Sequence, residues 1–113
     1  MKVTIEVLEE YLLARYDGWA TEQGLFMKLV EEMGETAEVL NMRAGSKAAG
    51  DVDLQAELGK ELADILHYVV AIAAINHIDL QETILSKDKK ASVKYHHDTN
   101  LETFILHKEQ LSN

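Results

Sequence analysis

The sequence predicts an all-α fold of four main helices and a short C-terminal fifth, and three observations carry this. The chain of 113 residues has no proline and only six glycines, so the strongest helix breaker is missing. Apolar residues recur at steps of three and four along most of its length. No segment alternates apolar and polar side chains convincingly enough to be a strand. At this length we expect one domain, 1–113, with a modest core. A hydrophobic content of 47% supports a packed interior rather than disorder.

Helix one is expected over residues 4–16, with Ile5, Leu8, Leu12 and Leu13 on one stripe and Glu6, Glu9 and Glu10 outside it. Asp17-Gly18 breaks it, and Trp19 follows in the loop. Thr21 caps helix two, which runs to about residue 44, with Gly45 just beyond. Its expected core face is Leu25, Leu29, Val30, Met33, Ala37 and Leu40, with Glu32 at the edge, Glu35 further round, and Glu31 and Glu38 toward solvent. Residues 46–53 read as a loop. Asp53 caps helix three, expected over 54–77, with a core stripe of Leu58, Leu62, Ile65, Val69, Ile72 and Ala73. Beside it runs a second stripe of Glu57, Glu61, Asp64 and Tyr68. Residues 65–75 are apolar on nearly all sides, so other helices should enclose them, within the subunit or across an oligomer interface. Asp79-x-x-Glu82 resembles a capping box and opens helix four, which runs to about 94. His96-His97-Asp98 is a break. Asn100 caps a last helix over 101–111, part of a C-terminal tail at 98–113.

Composition narrows the function classes. Twenty acidic residues against eleven basic ones give a net charge of −9, which disfavours nucleic acid polymers and anionic lipid. The longest apolar run, residues 68–75, is too short to span a bilayer. Glu6, Glu9 and Glu10 interrupt what would be the apolar region of a signal peptide. The absence of cysteine excludes disulfides and thiolate metal sites, and fits a reducing cytoplasm. The expectation is a soluble cytoplasmic protein.

Two short acidic motifs carry the chemistry. Glu32-x-x-Glu35, preceded by Glu31, lies on helix two; Glu61-x-x-Asp64 lies on helix three. Residues three apart share a helix face, so each motif points two carboxylates the same way. If the two helices pack antiparallel, all four groups converge. Converging carboxylates repel and are costly to desolvate unless a cation joins them. An all-oxygen ligand set favours Mg²⁺, or Mn²⁺, over zinc. Such motifs are more often solvated surface, but this second pair flanks the most apolar helix in the chain, and neither motif has a lysine at i+4 to make it an ordinary ion pair.

The flanking residues resemble a known family. KLVEEMGETAE (28–38) resembles the first signature of MazG-like nucleotide pyrophosphohydrolases, and ELADILHY (61–68) resembles the second. Ile78-Asp79-Leu80 followed by Lys87 looks like the family's next helix, and the resemblance covers about residues 19–95. It implies an all-α architecture completed by oligomerisation, as a homodimer or homotetramer. It implies Mg²⁺-dependent cleavage of a nucleoside triphosphate to the monophosphate and pyrophosphate, in nucleotide-pool housekeeping. Glu32, Glu35, Glu61 and Asp64 match the family's metal ligands; Glu31 matches a further acidic position that would support those ligands from behind or orient a water, and Glu31 and Glu35 are the expected catalytic acids. Lys87 and Lys94 match phosphate-holding positions, with Lys28 a third candidate; the alternative for all three is solvated surface. Ala91 stands where the family often has asparagine, and its methyl group cannot make the polar contact an asparagine would. Trp19 and Tyr68 are candidates to stack on the base, although Trp19 is expected rather to cap the core between helices one and two.

Three rival readings remain at this level. One is a pyrophosphohydrolase for another nucleotide, such as phosphoribosyl-ATP. Another is a non-catalytic metal-binding helical oligomer or interaction module. A di-iron carboxylate bundle is disfavoured, because it wants Glu-x-x-His pairs and neither motif supplies one.

Overall fold

A computed structural model describes residues 1–45, 50 and 52–112. Those residues form five α-helices and no strand: α1 (Ile5–Tyr16), α2 (Glu22–Arg43), α3 (Leu54–Ile75), α4 (Leu80–Lys94) and α5 (Leu101–Ser112). Two compact units result, Met1–Ile78 with α1 to α3 and Asp79–Asn113 with α4 and α5. Among the described residues, no helix is long and apolar enough to cross a membrane. Most of the expected loop before α3, 46–49 and 51, lies outside the described residues.

Local signals set the helix starts. Thr4, Thr21, Asp53 and Asp79 are all in extended backbone conformation, and each side chain accepts a hydrogen bond from the backbone N–H three residues on. Asn100 Oδ1 does the same for Thr103 N–H at 2.8 Å. Each cap satisfies one of the donors that a helix start leaves unpaired.

The helix ends are less regular. α3 stops at Ile75, two residues before the expected end. His77 turns to φ 56°, while the Ile78 N–H donates to Ala73 O (2.9 Å) and the His77 N–H to Ala74 O (3.1 Å). α4 ends in the same way. His96 has φ 56°, and the His97 N–H donates to Ser92 O at 2.9 Å. Both are paired-bond C-terminal motifs in which glycine usually takes the left-handed position.

In the first unit, α3 packs against both α1 and α2. The core consists of Leu12 and Tyr16 from α1, Leu25 and Val39 from α2, and Val70, Ala71, Ala73 and Ala74 from α3. The three alanines let neighbouring backbones approach closely. This corrects the expected core faces. On α2 the inward seam is Leu25, Leu29, Glu32, Thr36 and Val39, whereas Val30, Met33, Ala37 and Leu40 face outward. On α3, Leu62, Leu66 and Val69 are exposed as well. The apolar arc of each helix is wider than its contact inside the unit, so periodicity alone chose the wrong edge of the arc.

In the second unit, α4 packs on α5. Asp88 Oδ2 accepts from the Leu101 N–H at 2.6 Å, and Lys89 pairs with Glu102 at 3.6 Å. Phe104, Leu106 and Leu111 of α5 are exposed.

A non-glycine residue in the left-handed region costs about 1 kcal/mol or more. Substituting His77→Gly should therefore raise the melting temperature by a few degrees. Calorimetry of the two proteins checks this, and an unchanged or lower melting temperature counts against the strain.

Candidate functional site

The inward seam of α2 carries an acid at its centre. Glu32 lies between Leu29 and Thr36, and the Thr36 hydroxyl donates back to the Glu32 carbonyl at 2.7 Å. Glu61 and Asp64 reach the same place from α3. One oxygen from each of Glu32, Glu61 and Asp64 lies within 4.8 Å of the others. Glu32 and Glu61 are half-buried and Asp64 is exposed. Glu32 Oε2 and Glu61 Oε2 are sealed from solvent and lack a hydrogen-bond partner among the described residues.

Such a group opposes its own ionisation. The Glu32 carboxyl is pushed up to about 7, mainly by burial, then by the neighbouring Glu61 carboxyl and the charges of Glu35 and Asp64. Burial also raises Glu61, with Glu35 and Asp64 adding to the effect and the contact with Glu32 opposing it. Two orphaned carboxylate oxygens in an all-oxygen set have the donor chemistry of a hard divalent cation site, and these three side chains can hold one.

The other residues singled out in the sequence are placed differently. Glu35 is not one of the three converging groups. It is exposed and lines a cavity of about 490 Å³ with Glu38, Glu57 and Glu61, close enough to act on both half-buried acids. Glu31 points to solvent and pairs with Lys28 at 3.3 Å. The first motif thus does have a cation partner, at i−3 rather than i+4. Lys87 and Lys94 are exposed on α4 in the second unit, where Lys94 Nζ sits 5.3 Å above the Tyr95 ring. Ala91 is half-buried on the same helix.

An aromatic cavity of about 380 Å³ is lined by Tyr16, Trp19, Leu25, Lys28 and Tyr68, among others. Burial raises the Tyr68 hydroxyl pKa; the nearby Tyr16 and the charges of Glu32 and Asp64 add to this, and Lys28 opposes it. The expectation that Trp19 caps the core is corrected: it is 70% exposed, on the cavity wall. Its ring is held by a 2.8 Å bond from Nε1 to the Arg15 carbonyl, so it keeps its orientation without burial. Tyr16 was not foreseen as a site residue, and His67, which could touch substrate but is expected rather to be structural on a packed helix, stands behind the cavity wall. The signal was available in spacing alone: Tyr16 follows Leu12 by four on the inward face of α1, and His67 follows Asp64 by three on α3. Burial holds the His67 imidazole below its ordinary pKa, the Arg15 charge adds to this, and Asp64 opposes it.

Comparison with known proteins agrees with the motifs. The family described as the MazG nucleotide pyrophosphohydrolase domain matches residues 20–97. The proteins named dCTP pyrophosphatase 1 of Mus musculus and of Rattus norvegicus are each 33% identical over 88 residues, covering 75% of this chain and 46% of theirs. The chain thus spans about half the length of these curated relatives. No solved structure matches. With both acidic motifs inside the matched span and three of their carboxylates converging, the chain belongs to the MazG nucleotide pyrophosphohydrolase family.

Proposed function

We propose that this chain is a Mg²⁺-dependent nucleoside triphosphate pyrophosphohydrolase that converts a (d)NTP to the (d)NMP and pyrophosphate. The observation that carries the reading is the convergence of Glu32, Glu61 and Asp64, with two buried carboxylate oxygens left unpaired, in a chain of this family. Mn²⁺ is the expected substitute metal. Because two relatives are named dCTP pyrophosphatases, dCTP is the first substrate to test.

The residues divide the work by chemistry. Glu32, Glu61 and Asp64 hold the cation, and Glu35 completes the acidic set from the rim. A bound Mg²⁺ supplies the positive charge that lets an acidic site accept a triphosphate, and it favours attack by water at phosphorus. Glu35, which borders both half-buried acids, orients that water and takes its proton. Glu31 acts through Lys28, holding the ammonium at the cavity edge to meet a phosphate. For Lys87 and Lys94 on α4, the phosphate-holding role rests on the family resemblance of their positions alone. Trp19 and Tyr68 present ring surface to the base, which they recognise by stacking. The assembly is a homodimer or homotetramer, supported by the outward apolar side chains Val30, Met33, Leu62 and Leu66.

Pyrophosphate release from each common NTP and dNTP should require Mg²⁺ and stop with EDTA. Glu35→Gln and Asp64→Asn should each lower kcat by about 100-fold or more with the helical circular dichroism intact. Metal binding without pyrophosphate from any nucleotide would leave a non-catalytic module as the better reading, and single phosphate release would point to a phosphatase.

The raised pKa of Glu32 has a thermodynamic consequence. Between its ordinary value of 4.5 and about 7, the folded chain keeps a proton that the unfolded chain has lost. In metal-free protein, stability should therefore fall as pH rises through that window. Mg²⁺ binds the deprotonated acids, so it should raise the melting temperature more at pH 8 than at pH 5. Glu32→Gln should flatten the pH slope and shrink the Mg²⁺ effect. Melting curves with and without Mg²⁺ decide the matter, and equal stabilisation at both pH values goes against the site.

A further inference from the structure

Three rings line the 380 Å³ cavity, and one side chain behind them joins two of these rings. His67 does not line the cavity. Its Nε2 is 2.7 Å from the Tyr16 hydroxyl, a bond that ties α3 to α1 across 51 residues of sequence. Its ring also meets the edge of Tyr68, with centroids 4.9 Å apart and planes at 73°. Tyr16 in turn leans on Trp19, with centroids 5.4 Å apart. The aromatic wall thus runs Trp19–Tyr16–His67–Tyr68, with the imidazole as its inner link.

The polar groups of this wall are largely engaged. The Trp19 N–H is spent on the Arg15 carbonyl, and the Tyr16 hydroxyl on His67. What these two side chains offer the cavity is ring surface rather than donors. A cavity that recognises a planar base by ring surface discriminates through the spacing and tilt of its rings. Tyr16 is 7% exposed, so its ring is already packed, and the hydrogen bond fixes the rotation that packing leaves soft.

We infer that His67 is a positioning residue for base recognition, setting the orientation of Tyr16 and Tyr68 through its contacts with both rings. This rests on the pyrophosphohydrolase reading and goes beyond it, because it names what tunes the choice of base. His67 touches neither the phosphates nor the reacting water in this scheme. Its removal therefore acts on binding of the base rather than on the chemical step.

The test compares His67→Phe, Tyr16→Phe, the double variant and His67→Gln, using a panel of dNTPs with Mg²⁺. Phenylalanine at 67 keeps a ring against Tyr68 and removes the nitrogen. Glutamine keeps a group able to bond the Tyr16 hydroxyl. His67→Phe should raise KM for the preferred nucleotide about fivefold, the loss of one hydrogen bond, with a smaller change in kcat. Selectivity between bases should narrow, the double variant should be no worse than either single one, and His67→Gln should recover most of the loss. The near-UV circular dichroism of the aromatic cluster should change in His67→Phe and return toward the parent in His67→Gln. If His67→Phe fails to fold, Tyr16→Phe, which deletes only an oxygen, carries the same comparison. An active parent whose KM and base preference survive both substitutions overturns the role of His67 alone. A parent that releases no pyrophosphate from any nucleotide overturns the functional reading, and this inference with it.

Discussion

The first unit is organised around a conflict of charge placed in a helix seam. Glu32 occupies a position on the inward face of α2 that an apolar residue would ordinarily fill, and it meets Glu61 and Asp64 from α3. Repulsion and desolvation both act against this arrangement, and both appear in the raised pKa of Glu32. The surrounding contacts hold it in place. Leu25, Leu29 and Val39 pack the same seam above and below the acid, and the small side chains Ala71, Ala73 and Ala74 allow α3 to sit close to its neighbours. The acids are thus held close together by apolar packing, in the way a rigid scaffold preorganises converging groups.

The same seam explains the neighbouring cavity. Helical spacing puts Lys28 one turn before Glu32 on α2, and Tyr68 about one turn after Asp64 on α3. Both therefore line a space beside the acids, and Tyr16 and Trp19 close it from the end of α1 and the loop that follows. Acid cluster, lysine and Tyr68 lie on the α2–α3 pair, and α1 with the loop after it adds the other two rings. Charged and apolar surroundings thus lie side by side in the first unit.

Much of the fold was legible in the sequence. The five helices and the caps Thr21, Asp53, Asp79 and Asn100 follow from local rules, since an N-cap depends only on residues within one turn. The helix ends were harder to read, because His77 and His96 occupy left-handed positions that usually announce themselves as glycine. The core faces of α2 and α3 were misplaced, since a wide apolar arc does not say which edge meets its own chain.

By itself the sequence determined the helical class, the two acidic motifs and the family they belong to, because those depend on residue type and on spacing along one helix. Tertiary structure decided which acids meet. It brought Glu32, Glu61 and Asp64 together, set the exposed Glu35 against Glu32 and Glu61, and gave Glu31 to Lys28. It also moved Trp19 from an expected core position to the wall of a cavity, and it joined Tyr16 to His67. These outcomes depend on the rotation of one helix against another. Packing across the whole interface sets that rotation, and no local pattern encodes it.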